Sequence, residues 1–480
     1  MTRRSISFLF ALFLLLSTAS AEKKAKYVFY FITDGTGVNT ILGAEMYNAA
    51  KKGVIGREPF FMTQFPVVSM ASTYSFDSGV TDSAASGTAL ATGVKTKNGA
   101  VGVKDDLTTP VTSVAAWAKE AGMRVGVATS VPVNHATPAA FFAHNGKRSD
   151  YYGIGADMVS SGFDFYGGAE VKDHYDAKKH PGQPDIYDEL RKNGYTLAFG
   201  VEDFKAKAGK AEKLVLLQDT LRLNPASGTF SIPYAIEARE GELRIEDILL
   251  CEIDFLMKDN DNGFFLMNEI GGKVDWACHA QDAATAFAEV AAVDRCIKIA
   301  YDFYLQHPDE TLIVLTADHE TGGLVLAEDD IYALNLKVLE NQRVSMDGFS
   351  ARLRSMKEKA GKNVTWEMAQ QALKECYGFW DTVEITPDEE KMLKETHTRS
   401  FADGAQEVKN EYSANLALAD LAKRIINKKA LVSWRTKGHS AGLVPVFAIG
   451  CGSEAFQGFN DNALIPKKIA KAAGYTIPRQ

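Results

Sequence analysis

Short, unbroken apolar runs separated by helical patterns constrain this sequence more than any other feature. Each run is five to seven residues long and is rich in β-branched or aromatic residues without polar alternation. Strands of this kind are typical of a parallel sheet that is buried on both faces. We therefore predict an α/β fold with a central, mostly parallel sheet flanked by helices. The six runs span residues 27–33, 124–129, 213–217, 263–267, 311–316 and 444–449.

The domain organisation is predicted from the length and from one segment of different composition. The chain has 480 residues, and we interpret residues 22–480 as one large domain. Residues 330–429 are rich in Lys and Glu in helical patterns and contain no clear buried strand. We interpret them as a helical insertion or cap over the sheet, because the run 444–449 must still rejoin it. A separate small domain is the alternative.

The N-terminus has the organisation of a secretory signal peptide. Arg3 and Arg4 precede an apolar run over residues 6–16, and Ala19-Ser20-Ala21 follows it. The run is shorter than the roughly 20 residues that span a bilayer, so we predict cleavage near Ala21 rather than a membrane anchor. The mature protein is then periplasmic or secreted.

Charge and cysteine content exclude several functions. With 53 basic against 61 acidic residues, the formal net charge is −8, which argues against a broad nucleic-acid-binding surface. The five cysteines show no C-x-x-C spacing, which argues against a thiolate zinc site. Only nine histidines are present, so their positions are informative.

Polar side chains follow four of the apolar runs at the point where each predicted strand ends. In open parallel sheets, ligands bind outside the carboxyl ends of the strands, so these side chains should converge. Asp and His suit zinc, whereas carboxylate with hydroxyl suits magnesium. Each motif alone is weak, but their convergence predicts a metal site. The residues are Asp34, His135, Thr137, Glu269, Asp275, His279, Asp318 and His319.

Residues 81–89 indicate a helix that begins at a serine. Asp82 is predicted to cap a helix beginning near Ser83, where backbone N–H groups and the helix dipole favour an anion. The composition alone favours the alternative, an ordinary Ala/Ser-rich helix start.

Six segments, in this order, resemble those of alkaline phosphatases. They lie between residues 31 and 450 and therefore cover most of the chain. The resemblance implies a homodimeric α/β enzyme with two zinc ions and one magnesium ion, which hydrolyses phosphate monoesters through a phosphoserine. The segments are FITDGTG, TDSAASGTALATGVKTKNGAVGV, ATPAAFFAHNGKR, GGKVDWACHAQDA, TADHETGG and GHSAGLVPVFAIG.

The resemblance also implies roles for individual residues. Ser83 corresponds to the nucleophile, and Arg148 to the arginine that grips the phosphate oxygens. The implied ligands are Asp275, His279 and His439 for one zinc; Asp34, Asp318 and His319, with Ser83, for the second; and Asp34, Thr137 and Glu269, with His135 beside them, for magnesium.

Three departures from the best-known pattern lie near the magnesium position. The magnesium glutamate usually precedes Gly-Gly directly, but Ile270 stands there and Glu269 is one residue earlier. Either the strand end bulges so that Glu269 still reaches, or the third site is weakened. His135 stands where some members have Asp, and Trp276 where Lys or His is common.

Two alternatives to this interpretation are a related hydrolase of another substrate class and a non-catalytic binding protein. A sulfatase needs a C/S-x-P-x-R motif, which the residues after Asp82 lack, and a phosphodiesterase has no need of Arg148 for a dianionic group. A non-catalytic phosphate-binding or metal-binding protein would not need Ser83 as a nucleophile.

Overall fold

A computed structural model describes most of the chain. The described residues are 24–175, 178, 180–219, 222–224, 229–360, 364–402, 404–405 and 407–479. The predicted signal peptide, residues 1–21, lies outside them.

A ten-stranded sheet forms the centre of the fold. All six apolar runs of the sequence are strands of this sheet, which confirms the predicted fold class. The strands are β1 Tyr27–Ile32, β2 Val67–Ser72, β3 Arg124–Thr129, β4 Phe165–Gly168, β5 Tyr195–Phe199, β6 Lys213–Leu217, β9 Phe264–Glu269, β10 Thr311–Thr316, β17 Val444–Gly450 and β18 Phe459–Asp461. Their order across the sheet is β18-β2-β17-β10-β1-β9-β3-β4-β6-β5.

Strand direction is uniform except at one position. Strand β17 is antiparallel to both of its neighbours, β10 and β2, whereas the other pairs in the sheet are parallel. Shorter strands form two-stranded pairs outside this sheet: β7 Arg222–Asn224 with β8 Thr229–Ser231, β11 Glu320–Thr321 with β16 His439–Ser440, β12 Leu324–Val325 with β15 Ser433–Trp434, and β13 Glu407–Lys409 with β14 Ala414–Leu416.

Helices cover both faces of the sheet and create two apolar cores. Side chains alternate along a strand, so Phe29 and Phe31 of β1 enter one core and Val28 and Tyr30 the other. The helices are α1 Val38–Lys51, α2 Ser83–Thr92, α3 Val114–Glu120, α4 Ala136–Ala139, α5 Tyr151–Ser160, α6 Ile186–Lys192, α7 Gly200–Lys207, α8 Ile245–Met257, α9 Gly272–His279, α10 Ala283–Gln306, α11 Met346–Ala360, α12 Trp366–Tyr377, α13 Pro387–Phe401, α14 Ala417–Ala430 and α15 Ile465–Ala473.

Residues 330–429 contain α11 to α13, the hairpin formed by β13 and β14, and all of α14 except its last residue, Ala430. Phe349, Leu373 and Leu393 from these helices join the same apolar core as α1, α8 and α10. The segment is therefore packed onto one face of the fold. The hairpin was not expected from the sequence, because its strands are only three residues long.

Two further observations on the described residues concern membrane-spanning helices and cysteines. No helix among them has the length and apolar character needed to cross a membrane. All five cysteines lie within the described ranges, and the four buried ones, Cys251, Cys278, Cys296 and Cys376, form no disulfide bond.

A close backbone contact sets the distance between β1 and α9. A Cβ at Gly271 would lie 2.5 Å from the Cα of Thr33, the residue before Asp34. Only glycine therefore allows α9, which begins at the next residue, to approach the end of β1 so closely.

We expect Gly271→Ala to lower the free energy of unfolding by about 1–3 kcal/mol, because α9 or β1 must shift to admit the methyl group. Denaturation by urea measures this change. The control is Gly209→Ala, at an exposed position with no atom within 4 Å of its added Cβ. Equal losses of stability in the two variants would contradict the explanation.

Candidate active site

The candidate site lies at the carboxyl ends of four adjacent strands, β10, β1, β9 and β3. Asp34 follows β1, Asp318 follows β10, and Glu269 is the last residue of β9. All three side chains are buried. The expected convergence at this edge is present, and three groups of ligand atoms form there, each with its atoms within 4.8 Å of one another.

The first group consists of Asp275, His279 and His439. One turn of α9 brings Asp275 Oδ1 to 3.5 Å from His279 Nε2, and His439 Nε2 lies 3.2 Å from the same nitrogen. The other ring nitrogens are held by backbone carbonyls, because Nδ1 of His279 donates to Lys437 O at 2.5 Å and Nδ1 of His439 to Thr81 O at 2.9 Å. The Nε2 atoms are thus the ring nitrogens that a bound cation would contact.

The second group consists of Asp34, Asp318 and His319, with Ser83 beside it. His319 Nε2 lies 3.1 Å from Asp318 Oδ2, 3.5 Å from Asp34 Oδ1 and 3.1 Å from Ser83 Oγ. The backbone N–H groups of Gly35 and His319 donate to Asp318 Oδ1 at 3.1 and 2.9 Å, which fixes this carboxylate.

A threonine and a ring contact connect the first two groups. Thr321 Oγ1 donates to Asp275 Oδ1 at 2.6 Å and lies 3.2 Å from His319 Nδ1. The rings of His319 and His439 stack with centroids 3.5 Å apart. The strand pair of β11 and β16 produces this contact, because it holds Thr321 opposite His439.

The third group consists of Asp34, His135 and Glu269, so Asp34 is shared with the second. Thr137 Oγ1 donates to Asp34 Oδ2 at 3.2 Å, and Thr129 Oγ1 donates to Glu269 Oε2. The register of β9 with β3 is unbroken up to the pair of Glu269 with Thr129. Glu269 therefore reaches the group without the bulge considered from the sequence.

Burial and mutual repulsion shift the pKa values of these carboxylates. Burial, together with Asp318 and Asp275, raises the pKa of Asp34 well above its ordinary value. Burial also raises the pKa of Glu269 to about 7 and that of Asp275 above its usual range. Buried negative charges at this density need a cation to balance them.

Two groups are shifted in the opposite direction. Burial acts to raise the pKa of Asp318, but the charge and hydrogen bond of His319 outweigh it and hold that pKa at about 2. Burial and the neighbouring histidines lower the pKa of His439 to about 2. His439 is therefore a neutral imidazole, which is the form that binds a metal ion.

The donor sets fit divalent cations. Glu269 Oε1, Asp275 Oδ2 and His135 Nδ1 are buried and have no hydrogen-bond partner among the described residues. Buried polar atoms are normally paired, so these atoms are available to a ligand. Mixed Asp and His donors suit zinc, and a set richer in oxygen suits magnesium.

Ser83 is the first residue of α2 and is held beside an arginine by Asp82. As predicted, Asp82 caps the helix, with Oδ1 accepting from Ala85 N at 2.9 Å. Its Oδ2 also accepts from Arg148 Nη1 at 3.0 Å. Sequence reasoning missed this second contact, which places the guanidinium next to the helix start.

Two further residues of the site, Glu411 and Tyr412, were missed because no motif marks them. They lie between β13 and β14, and Glu411 Oε2 is 3.7 Å from His279 Nε2. The ring of Tyr412 stacks on Trp276 with centroids 5.0 Å apart and meets the His279 ring edge-on at 5.0 Å. The hairpin of the 330–429 segment therefore reaches the candidate metal groups.

Comparisons with known proteins agree with this geometry. The sequence model of the alkaline phosphatase family matches residues 25–173 and 229–475. Alkaline phosphatase 3 of Bacillus subtilis is 30% identical over 96% of this chain and 93% of its own length. The human tissue-nonspecific alkaline phosphatase is 30% identical over 65% of this chain and 66% of its own.

Solved structures give the same result. The cold-active alkaline phosphatase of the psychrophile Shewanella sp. is 28% identical with a TM-score of 0.75, over 94% of this chain and all of that one. The alkaline phosphatase of the Antarctic bacterium TAB5 is 26% identical with a TM-score of 0.64, over 95% of this chain and all of that one. A variant of the TAB5 enzyme, of equal identity, has magnesium bound in a site termed M3.

The chain therefore belongs to the alkaline phosphatase family, as its motifs predicted. It is an enzyme of the phosphoric monoester hydrolase class.

The raised pKa of Glu269 predicts how the metal-free protein responds to pH. Between its ordinary value of 4.5 and about 7, the folded state holds a proton that the unfolded state has lost. Stability from this group is therefore lost as pH rises through that window. Compared with Glu269→Gln, which cannot ionise, the metal-free wild type should lose stability between pH 4 and pH 8.

Chemical denaturation of both proteins across this pH range, after chelation, measures the difference. In metal-loaded protein the wild type should be more stable than Glu269→Gln, because the carboxylate then binds a cation. A difference in unfolding free energy that does not change with pH would contradict the assigned environment of Glu269.

Proposed function

We propose that this protein is an exported alkaline phosphatase that hydrolyses phosphate monoesters to alcohol and inorganic phosphate through a phosphorylated Ser83. The observation that carries the proposal is the position of Ser83. Its Oγ is 3.1 Å from His319 in one candidate metal group, and the cap of its own helix binds Arg148. A nucleophile, a phosphate-binding cation and metal-binding groups thus meet at one place.

We assign two zinc ions and one magnesium ion to the three groups. Asp275, His279 and His439 would hold one zinc ion, and Asp34, Asp318 and His319 the other. Magnesium would take Asp34, Thr137 and Glu269, with His135 beside it. Magnesium in the related TAB5 variant supports the third assignment. Bound cations would lower the pKa of the serine hydroxyl and neutralise the charge of the leaving oxygen.

The chain's own residues perform the steps of the reaction. Arg148 offers two parallel N–H donors that match two phosphate oxygens, and Asp82 orients the guanidinium for this contact. Ser83 loses its hydroxyl proton to solvent as Oγ bonds to phosphorus, and the leaving oxygen departs with the electron pair of the broken P–O bond and takes up a proton from solvent to give the alcohol. Water then attacks the phosphoserine, which releases inorganic phosphate and restores Ser83.

Uncatalysed phosphate monoester hydrolysis is among the slowest biological reactions, so the electrostatic contribution must be large. The site provides this electrostatic stabilisation through groups whose orientation is already fixed. The Asp318 carboxylate is held by two backbone N–H groups, and both histidines of the first group are held by backbone carbonyls. Groups that are already oriented need no rearrangement during the reaction.

The proposed location, domain organisation and oligomeric state follow from the sequence. Residues 1–21 are proposed to be a signal peptide that directs the protein to the periplasm or the medium. Residues 22–480 would form the catalytic domain, in which 330–429 is a helical insertion or cap. A homodimer is proposed from the family resemblance, with phosphate monoesters as substrates and no nucleic-acid partner.

We expect Ser83→Ala to lower turnover of a phosphate monoester by roughly 10³-fold or more, because no oxygen remains to accept the phosphoryl group. Mass spectrometry after an acid quench should find phosphate on Ser83 in the wild type. The control is Ser86→Ala on the same helix. The Ser86 hydroxyl is engaged elsewhere, because its Oγ donates to the backbone carbonyl of Asp318 at 2.6 Å. This variant should still become phosphorylated at Ser83. Full activity of Ser83→Ala would exclude the covalent mechanism.

A further inference from the structure

Tyr412 is buried in the candidate active site although it belongs to the distant hairpin of the 330–429 segment. Its side chain is 7% exposed. The ring contacts residues of two different metal groups, with centroids 5.0 Å from His279 and 5.7 Å from His135. It also stacks on Trp276 at an interplanar angle of 15°. Tyr412 therefore contacts one residue of the first group and one residue of the third.

The hydroxyl of Tyr412 is a donor without a partner. It is buried and makes no hydrogen bond to any described residue. Burial raises the pKa of this phenol well above its ordinary value, while the Arg148 guanidinium acts to lower it and the Asp275 carboxylate to raise it. A buried tyrosine hydroxyl normally finds a partner, and the ring of this one contacts two metal groups, so its hydroxyl is available to a group bound there.

The hairpin turn holds Tyr412 in this position. Asn410 Oδ1 accepts hydrogen bonds from the backbone N–H groups of Tyr412 and Ser413 at 2.9 and 2.6 Å. Asn415, just beyond the turn, donates to Asp347 of α11 at 2.7 Å. The turn is therefore fixed both internally and against the helical segment.

Trp276 supports the ring of Tyr412 from α9. A tryptophan brings no cation to a phosphate, but its ring forms the surface on which Tyr412 stacks. The position of the tyrosine ring is therefore set by α9 as well as by its own hairpin.

We propose that the Tyr412 hydroxyl donates a hydrogen bond to an oxygen of the phosphoryl group, beside Arg148, and so positions both substrate and product phosphate. The inference rests on the proposed function, because it concerns the ligand of the same site. Tyr412 is then a phosphate-binding residue supplied by the 330–429 segment.

The test compares Tyr412→Phe with the wild type, both loaded with zinc and magnesium. Phenylalanine keeps the ring contacts and removes only the hydroxyl. Calorimetric titration with inorganic phosphate should show a dissociation constant raised about tenfold, the lower range for a hydrogen bond to a charged group. The kcat/KM for 4-nitrophenyl phosphate should fall by a similar factor. Metal content, measured by mass spectrometry, should not change.

Tyr377→Phe is the matched control. Tyr377 is also buried in the 330–429 segment with an unpartnered hydroxyl, but it packs on Phe349 in the apolar core. This variant should keep the phosphate affinity of the wild type. An equal loss of affinity in both variants would contradict a specific role for Tyr412.

Asn410→Ala provides a second variant that leaves Tyr412 intact and loosens its turn. We expect a weaker affinity for phosphate, by a smaller factor than in Tyr412→Phe. Unchanged phosphate affinity in both variants would overturn the inference. A wild type that binds phosphate but hydrolyses no monoester would instead overturn the proposed function, while the effect of Tyr412→Phe on binding could still be measured.

Discussion

Repulsion among four buried carboxylates is the constraint on which the rest of this structure depends. Asp34, Glu269, Asp275 and Asp318 come from different elements but share one buried site. The pKa values of the first three are raised, so this arrangement is unfavourable to the charged forms when no cation is bound. Divalent cations bound there would offset the repulsion, because each would be attracted by several carboxylates.

The fold supplies the stability that this concentration of charge requires. Strand β1 has buried side chains throughout and packs between β10 and β9, with a core on each face. The loops that follow these strands can therefore hold strained or repelling groups without unfolding the sheet. The histidines are also prepared before any ligand binds. His439 is already neutral, and the His279 ring is already held by a backbone carbonyl.

Much of the fold was predictable because unbroken apolar runs report burial directly. The direction of β17 was not, since an apolar run carries no information on whether its neighbours are parallel. Asp34 and Asp318 were found because they follow strands, whereas His439, in a strand of two residues, was identified only by family resemblance. Tyr412 and the contact of Asp82 with Arg148 depend on segments brought together by folding, and no local pattern encodes them.

We propose that divalent cations bind within the three groups of ligands around Ser83. Anomalous X-ray scattering from crystals of the metal-loaded protein, measured on both sides of the zinc absorption edge, locates these ions. Two zinc peaks are expected, one among Asp275, His279 and His439 and one among Asp34, Asp318 and His319. Zinc peaks confined to other parts of the molecule would exclude this assignment.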